Sequence, residues 1–110
     1  MEFNVEQITR SIVQEAHPDS IILFGSRANG SSTENSDLDL ALIFASRSEL
    51  RPGLRAANKA LWPRSYPLDL VALTTESLRK GNNVLAREIS KTGHVLYEKS
   101  RQGFSLENHG

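Results

Sequence analysis

Residues 37–44 read Asp-Leu-Asp-Leu-Ala-Leu-Ile-Phe, and few architectures can absorb that string. The apolar, β-branched half asks for a strand. Along a strand, side chains alternate between faces, so Leu38, Leu40 and Leu42 point one way into a core and Asp37 and Asp39 point the other. Aspartate is depleted in strands, so two on one strand face need a reason. Carboxylates about 6–7 Å apart repel each other when left bare. A divalent cation removes that cost, and oxygen-only ligands suit magnesium or manganese.

The flanking segments supply the rest of a small α/β (α+β) domain. Residues 4–16 read as a helix with Val5, Ile8, Ile12 and Ala16 on one stripe. Asn4 caps it, Gln7 is placed to close a capping box, and His17-Pro18 ends it. Residues 20–24 (SIILF) form a buried strand, and residues 25–36, rich in Gly, Ser, Asn and Thr, form a loop with room for a short helical turn. Residues 47–62 read as a helix with Leu50, Leu54, Ala57 and Leu61 on one face and Pro52 in the first turn. Residues 67–73 (PLDLVAL) make a third strand. Thr75 caps a short helical turn through Lys80 that Gly81 ends. Residues 83–92 make a last helix with Gly93 as its C-cap, and residues 94–98 (HVLYE) a fourth strand. The expected fold is a mixed sheet of about four strands covered by helices, one domain over residues 1–99, with residues 100–110 a polar, mobile tail.

Composition narrows the function classes. A chain of 110 residues is long enough for one modest core. With no cysteine, disulfides and thiolate zinc sites are excluded, which fits a reducing compartment. Basic and acidic residues balance at 13 each, and that argues against direct nucleic-acid binding over a broad basic surface. No apolar run has the length of a membrane span or a signal peptide. The expectation is a cytoplasmic protein.

Asp69 adds a third carboxylate on another strand. If its strand neighbours that of Asp39, three acids converge, and three carboxylates can hold two metal ions about 3.5–4 Å apart. Such a pair activates an attacking oxygen and stabilises a leaving oxygen at phosphorus. Gly25 and Ser26 follow the first strand directly. Glycine admits a phosphate close to the backbone, a serine hydroxyl can hold phosphate oxygens, and Arg27 adds charge-assisted hydrogen bonds.

The string Gly25-Ser26, ten residues, then Asp37-Leu38-Asp39 resembles the signature of the DNA polymerase beta-like nucleotidyltransferase superfamily. FGSRANG, SDLDLAL and the closing GHVLYE are similar to its minimal members in bacteria and archaea. Asp69 occupies the place of the family's third carboxylate, and Asn29 departs from relatives that carry a second arginine in the loop. The resemblance implies that Asp37 and Asp39 hold two Mg2+ ions (Mn2+ as the alternative). It implies that Asp69 holds the catalytic ion and helps deprotonate an acceptor hydroxyl, and that Ser26 contacts the triphosphate of ATP, in line with the binding loop read from Gly25, Ser26 and Arg27. Minimal members are often encoded beside a HEPN-domain toxin and act as antitoxin by attaching AMP to a partner tyrosine. The implied assembly is therefore a hetero-oligomer with such a toxin. Two other readings stand beside it: a small-molecule (aminoglycoside-like) transferase, and an inert nucleotide-binding subunit that masks its partner by binding alone.

Other residues carry blander readings. Arg51, Arg55 and Lys59 fit a solvated helix face. His17 and His94 show no ligand spacing. Trp62 is expected to pack at a helix end or rim, and Tyr97 receives no chemistry.

Overall fold

A computed structural model describes residues 4–30 and 37–99. The expected mobile tail at 100–110 and the loop residues 31–36 lie outside the described residues. The elements run α1 (Val5–Ala16), β1 (Ser20–Phe24), α2 (Ser26–Asn29), β2 (Leu38–Phe44), α3 (Leu50–Ala60), β3 (Leu68–Thr74), α4 (Thr75–Lys80), α5 (Val84–Thr92) and β4 (His94–Glu98). The strands form one mixed sheet in the order β3-β2-β1-β4. β1 pairs antiparallel with β2 and with β4, and β2 pairs parallel with β3. The parallel pair needs a crossover longer than a hairpin, and α3 supplies it.

Both faces of the sheet are covered. Leu38, Leu40, Leu42 and Phe44 of β2 join Ile8 and Ile12 of α1, Ile21 of β1, and Ala57 and Leu61 in one core layer. Ala41 and Ile43, of opposite parity, join Ile22 and Phe24 of β1, Leu73 of β3, and Ala86 and Ile89 of α5 in the second. This explains why β2 loses its alternation after Asp39. The strand is central and buried on both sides, so residues 40–44 are apolar without a break. The larger of these side chains, Leu40, Leu42, Ile43 and Phe44, each contribute about 1.5–3 kcal/mol when fully buried.

The caps follow the sequence closely, with several shifts. The Asn4 side chain accepts from the Gln7 N–H at 3.0 Å, and His17 closes α1 in the left-handed region at φ 53. Thr74, not Thr75, caps α4, because its hydroxyl accepts from the Ser77 N–H at 3.0 Å. Residues 47–62 are not one helix: Arg47–Glu49 form a 3-10 turn with a Ser46/Glu49 capping box, and α3 stops at Ala60. Trp62 therefore falls beyond the helix and stands 74% exposed, against the expectation of packing. Arg51, Arg55 and Lys59 are exposed, as expected of a solvated face. The second strand starts at Leu38, one residue later than read from the sequence, and leaves Asp37 ahead of it.

Gly53 of α3 explains itself only in three dimensions. A Cβ there would overlap the ring of Phe44, whose Cε1 and Cε2 would lie 2.8 Å away. Phe44 is 2% exposed and has no free side to move into. In an open helix Gly→Ala gains about 1 kcal/mol. Here the sign reverses, and Gly53→Ala is expected to cost about 1–3 kcal/mol through overpacking. Urea or thermal unfolding checks this. An unchanged or raised midpoint would contradict the packing described.

Candidate active site

The aspartates sit where three strand ends meet. Asp39 is the second residue of β2, and Asp69 is the second residue of β3. In the parallel register the two are direct partners, on strands about 4.8 Å apart. Asp39 shares the parity of Ala41 and Ile43, and Asp69 that of Val71 and Leu73, so both face the α5 side of the sheet. The condition set by the sequence, that the two strands be neighbours, is met. Asp37 stands just before β2 and is exposed, so the expectation that it shares a strand face with Asp39 does not hold in that form. The junction is anchored by the Leu38 N–H, which donates to the Pro67 carbonyl at 3.0 Å and locks the entries of β2 and β3 together.

On the other side of Asp39, its partner in β1 is Phe24, the last residue before Gly25. Gly25 has φ 78 and ψ −158, a conformation natural to glycine and strained for other residues. Its backbone closes on the Asp39 side chain. A Cβ built there would overlap Asp39 Oδ2 and lie 3.1 Å from its Cγ. The chain then turns at once into α2, which carries Ser26 and the half-buried Arg27. The Ala28 N–H donates to the Gly25 carbonyl at 3.1 Å, and Gly30 closes the turn with φ 82 and its N–H on the Ser26 carbonyl. Thus the Gly-Ser segment and the carboxylate pair form one contiguous patch.

Electrostatics mark the same place. Burial pushes the Asp39 carboxyl above its usual carboxylate range, and the charges of Asp69, Asp37 and Glu88 push it further in the same direction. Glu88, on α5, is a residue that sequence reasoning missed. Its only signal is a carboxylate next to Ile89, which anchors α5 on the sheet.

Among the described residues, no group of three or more His, Cys, Asp or Glu side chains is drawn together tightly enough to cage an ion by itself. The donor chemistry still suits magnesium. That ion keeps waters and is commonly held by one or two carboxylates with the rest of its shell from substrate phosphates. Asp39 and Asp69, adjacent and mutually repelling, with Asp37 at the rim, are such a set.

The chain matches the Polymerase beta, Nucleotidyltransferase family over residues 6–102. It belongs to this family. Solved structures share the nucleotidyltransferase fold. A toxin–antitoxin structure with AMP-PNP aligns at a TM-score of 0.55 with 23% identity, covering 94% of this chain and 87% of that one. A mutant form of the toxin–antitoxin MntA-HpeT aligns at 0.56 with 22% identity, over 97% of this chain and 89% of that one. A Sulfolobus solfataricus protein provisionally assigned as a nucleotidyltransferase aligns at 0.60 with 18% identity, over 86% of this chain and 81% of that one. No curated protein sequence matches significantly. Among the described residues, no helix of this nucleotidyltransferase is long and apolar enough to cross a membrane.

The raised Asp39 carboxyl makes a stability prediction. The folded protein holds that proton more tightly than the unfolded chain. Between the ordinary carboxylate value and the raised one, the folded state binds more protons, so stability falls as pH rises through that window and stays lower above it. Asp39→Asn removes the loss. In metal-free buffer at neutral pH the variant is expected to melt a few degrees above wild type, with the gap closing as pH drops below the carboxylate range. A lower melting point for the variant at neutral pH would contradict the repulsion described.

Proposed function

We propose that this nucleotidyltransferase moves AMP from ATP onto a hydroxyl of a protein partner, a HEPN-type toxin, and acts in the cytoplasm as its antitoxin. The observation that carries the reading is the closure of Gly25 on Asp39, with Asp69 as the register partner of Asp39 on the next strand. A glycine-serine turn packed against a carboxylate pair supports this reading, because nucleotidyl transfer needs a holder for the triphosphate beside a holder for metal ions.

Each residue has a role. Gly25 lets the triphosphate approach the backbone, and Ser26 and Arg27 hold its oxygens. Asp37 and Asp39 would hold both metal ions, and Asp69 the catalytic one. When bound, the ions neutralise charge on the phosphates and acidify the acceptor hydroxyl. Asp69 takes the proton of that hydroxyl. The acceptor oxygen forms a bond to the α-phosphorus in line with the bond that breaks, the one to the oxygen bridging toward the β-phosphorus. Pyrophosphate leaves, and the acceptor carries AMP.

The partner assignment draws support from the toxin–antitoxin neighbours, one of them with AMP-PNP, and from the resemblance in the signature residues. The test is transfer of label from ATP marked at the α-phosphate to a co-expressed HEPN toxin, read as a labelled toxin band with equimolar pyrophosphate. A toxin neutralised with no label transferred would sink the transfer reading and leave a masking subunit. Label on an aminoglycoside and none on the toxin would assign the small-molecule reaction.

A further inference from the structure

The turn that carries Gly25, Ser26 and Arg27 is short, and most of its contacts are local. One comes from far along the chain. His94, the first residue of β4, places Nε2 at 2.7 Å from the Ala28 carbonyl oxygen, 66 residues away. A carbonyl only accepts, so the ring donates, and Nε2 carries the proton in either the neutral tautomer that fits or the charged form. Ala28 belongs to α2, a helix of four residues whose last carbonyls have no partner within it.

The ring is held where it can do this. β4 pairs antiparallel with β1, and His94 is the register partner of Leu23, two residues before the turn begins. Just ahead of it, Gly93 is pinned: a Cβ there would lie 2.5 Å from Ile22 Cγ2 and 2.5 Å from the Ile89 carbonyl oxygen. The Gly93 N–H also donates to that carbonyl at 2.9 Å. So the corner between α5 and β4 is closely packed, and His94 extends from it to the far side of the turn. Gly25 fixes the near side by closing on Asp39. The turn is thus clamped at both ends, once by the carboxylate patch and once by β4.

We propose that His94 is a positioning residue for nucleotide binding: through its Nε2–H bond to the Ala28 carbonyl it holds residues 26–30 in the shape that receives the triphosphate. The ligand in this inference rests on the function proposed above. The tether itself does not. His94 is exposed and outside both core layers, so substitution leaves the fold intact.

The experiment has two arms on His94→Ala and His94→Gln, the second of which offers an amide N–H in place of the ring. Amide hydrogen exchange in the ligand-free protein reads the tether. Residues 26–30 are expected to exchange faster in the alanine variant, with the glutamine variant near wild type and the rest of the sheet unchanged. Transfer kinetics with magnesium and ATP read the consequence. KM for ATP is expected to rise about 2- to 10-fold in the alanine variant, the range for one lost hydrogen bond, with kcat within about 2-fold and recovery by glutamine. Unchanged exchange at residues 26–30 overturns the tether. Faster exchange with unchanged KM overturns the positioning role. A wild type without transfer refutes the function reading, while the exchange arm still decides the tether.

Discussion

Asp39→Asn is expected to remove nucleotidyl transfer almost entirely, by about a thousand-fold or more in kcat, equivalent to about 4 kcal/mol of transition-state stabilisation. The surroundings of Asp39 set that size. It is the shared neighbour of Asp69 across the parallel pair, of Gly25 across the β1 end, and of Asp37 along the chain. Its surroundings, through burial and the neighbouring carboxylates, also resist its ionisation. A group that repels its neighbours when bare and is neutralised by a bound cation contributes most to binding that cation. Asparagine has the same shape and lacks the charge, so the turn around it remains. The check is a rate measurement with labelled ATP alongside a melting curve. Activity should vanish while the metal-free protein becomes more heat-stable, a pair of opposite changes that general misfolding cannot produce. A variant that keeps a tenth of the wild-type rate would show that Asp39 is not at the reacting phosphate.

Gly25→Ala is expected to damage both stability and transfer. The residue has φ 78, where a non-glycine side chain is strained, and its new Cβ would overlap Asp39 Oδ2. The chain must then either move the turn or swing the Asp39 carboxylate away. Backbone strain alone costs about 1–3 kcal/mol. A displacement of about 1 Å in a group that positions reacting atoms costs about a hundred-fold in rate. Gly53→Ala serves as the contrast, since its overlap is with Phe44 in the other core layer. It should lower the melting point to a similar degree and leave KM for ATP and kcat unchanged. If Gly25→Ala behaved like Gly53→Ala, the closure of the turn on Asp39 would carry no functional weight.

Much of this was legible in the sequence, for identifiable reasons. The strands and helices announce themselves through pattern: an unbroken apolar run over residues 40–44, and a period of 3.6 for the stripe of Val5, Ile8, Ile12 and Ala16. Gly25, Asp39 and Asp69 stand together because they sit at strand ends, where register leaves little freedom. What was not legible depended on contacts between distant segments. Thr74 and Thr75 are chemically equal candidates for the α4 cap, and only the end of β3 decides between them. Gly93 is the C-cap that its position predicts, but with φ −74 its reason is not the left-handed region: it is the Ile22 methyl and Ile89 carbonyl that a Cβ there would meet. Glu88 and His94 are ordinary polar residues in sequence. Their relation to the site arises from α5 and β4 folding back beside β1. Alternation alone puts Asp37 on the strand, and it stands one residue outside, since the ladder to β3 starts at Leu38.

The central claim is that ATP and its metal ions bind where Gly25, Asp39 and Asp69 meet. A crystal structure of the protein with magnesium and a non-hydrolysable ATP analogue tests it most directly. The expected result is a triphosphate lying along Gly25, Ser26 and Arg27, with cation density bridging its oxygens to Asp39, Asp69 and Asp37. Nucleotide bound elsewhere, such as the polar cleft beside Arg47, Thr74 and Lys80 at the opposite ends of β2 and β3, with the aspartates free of metal, would contradict it.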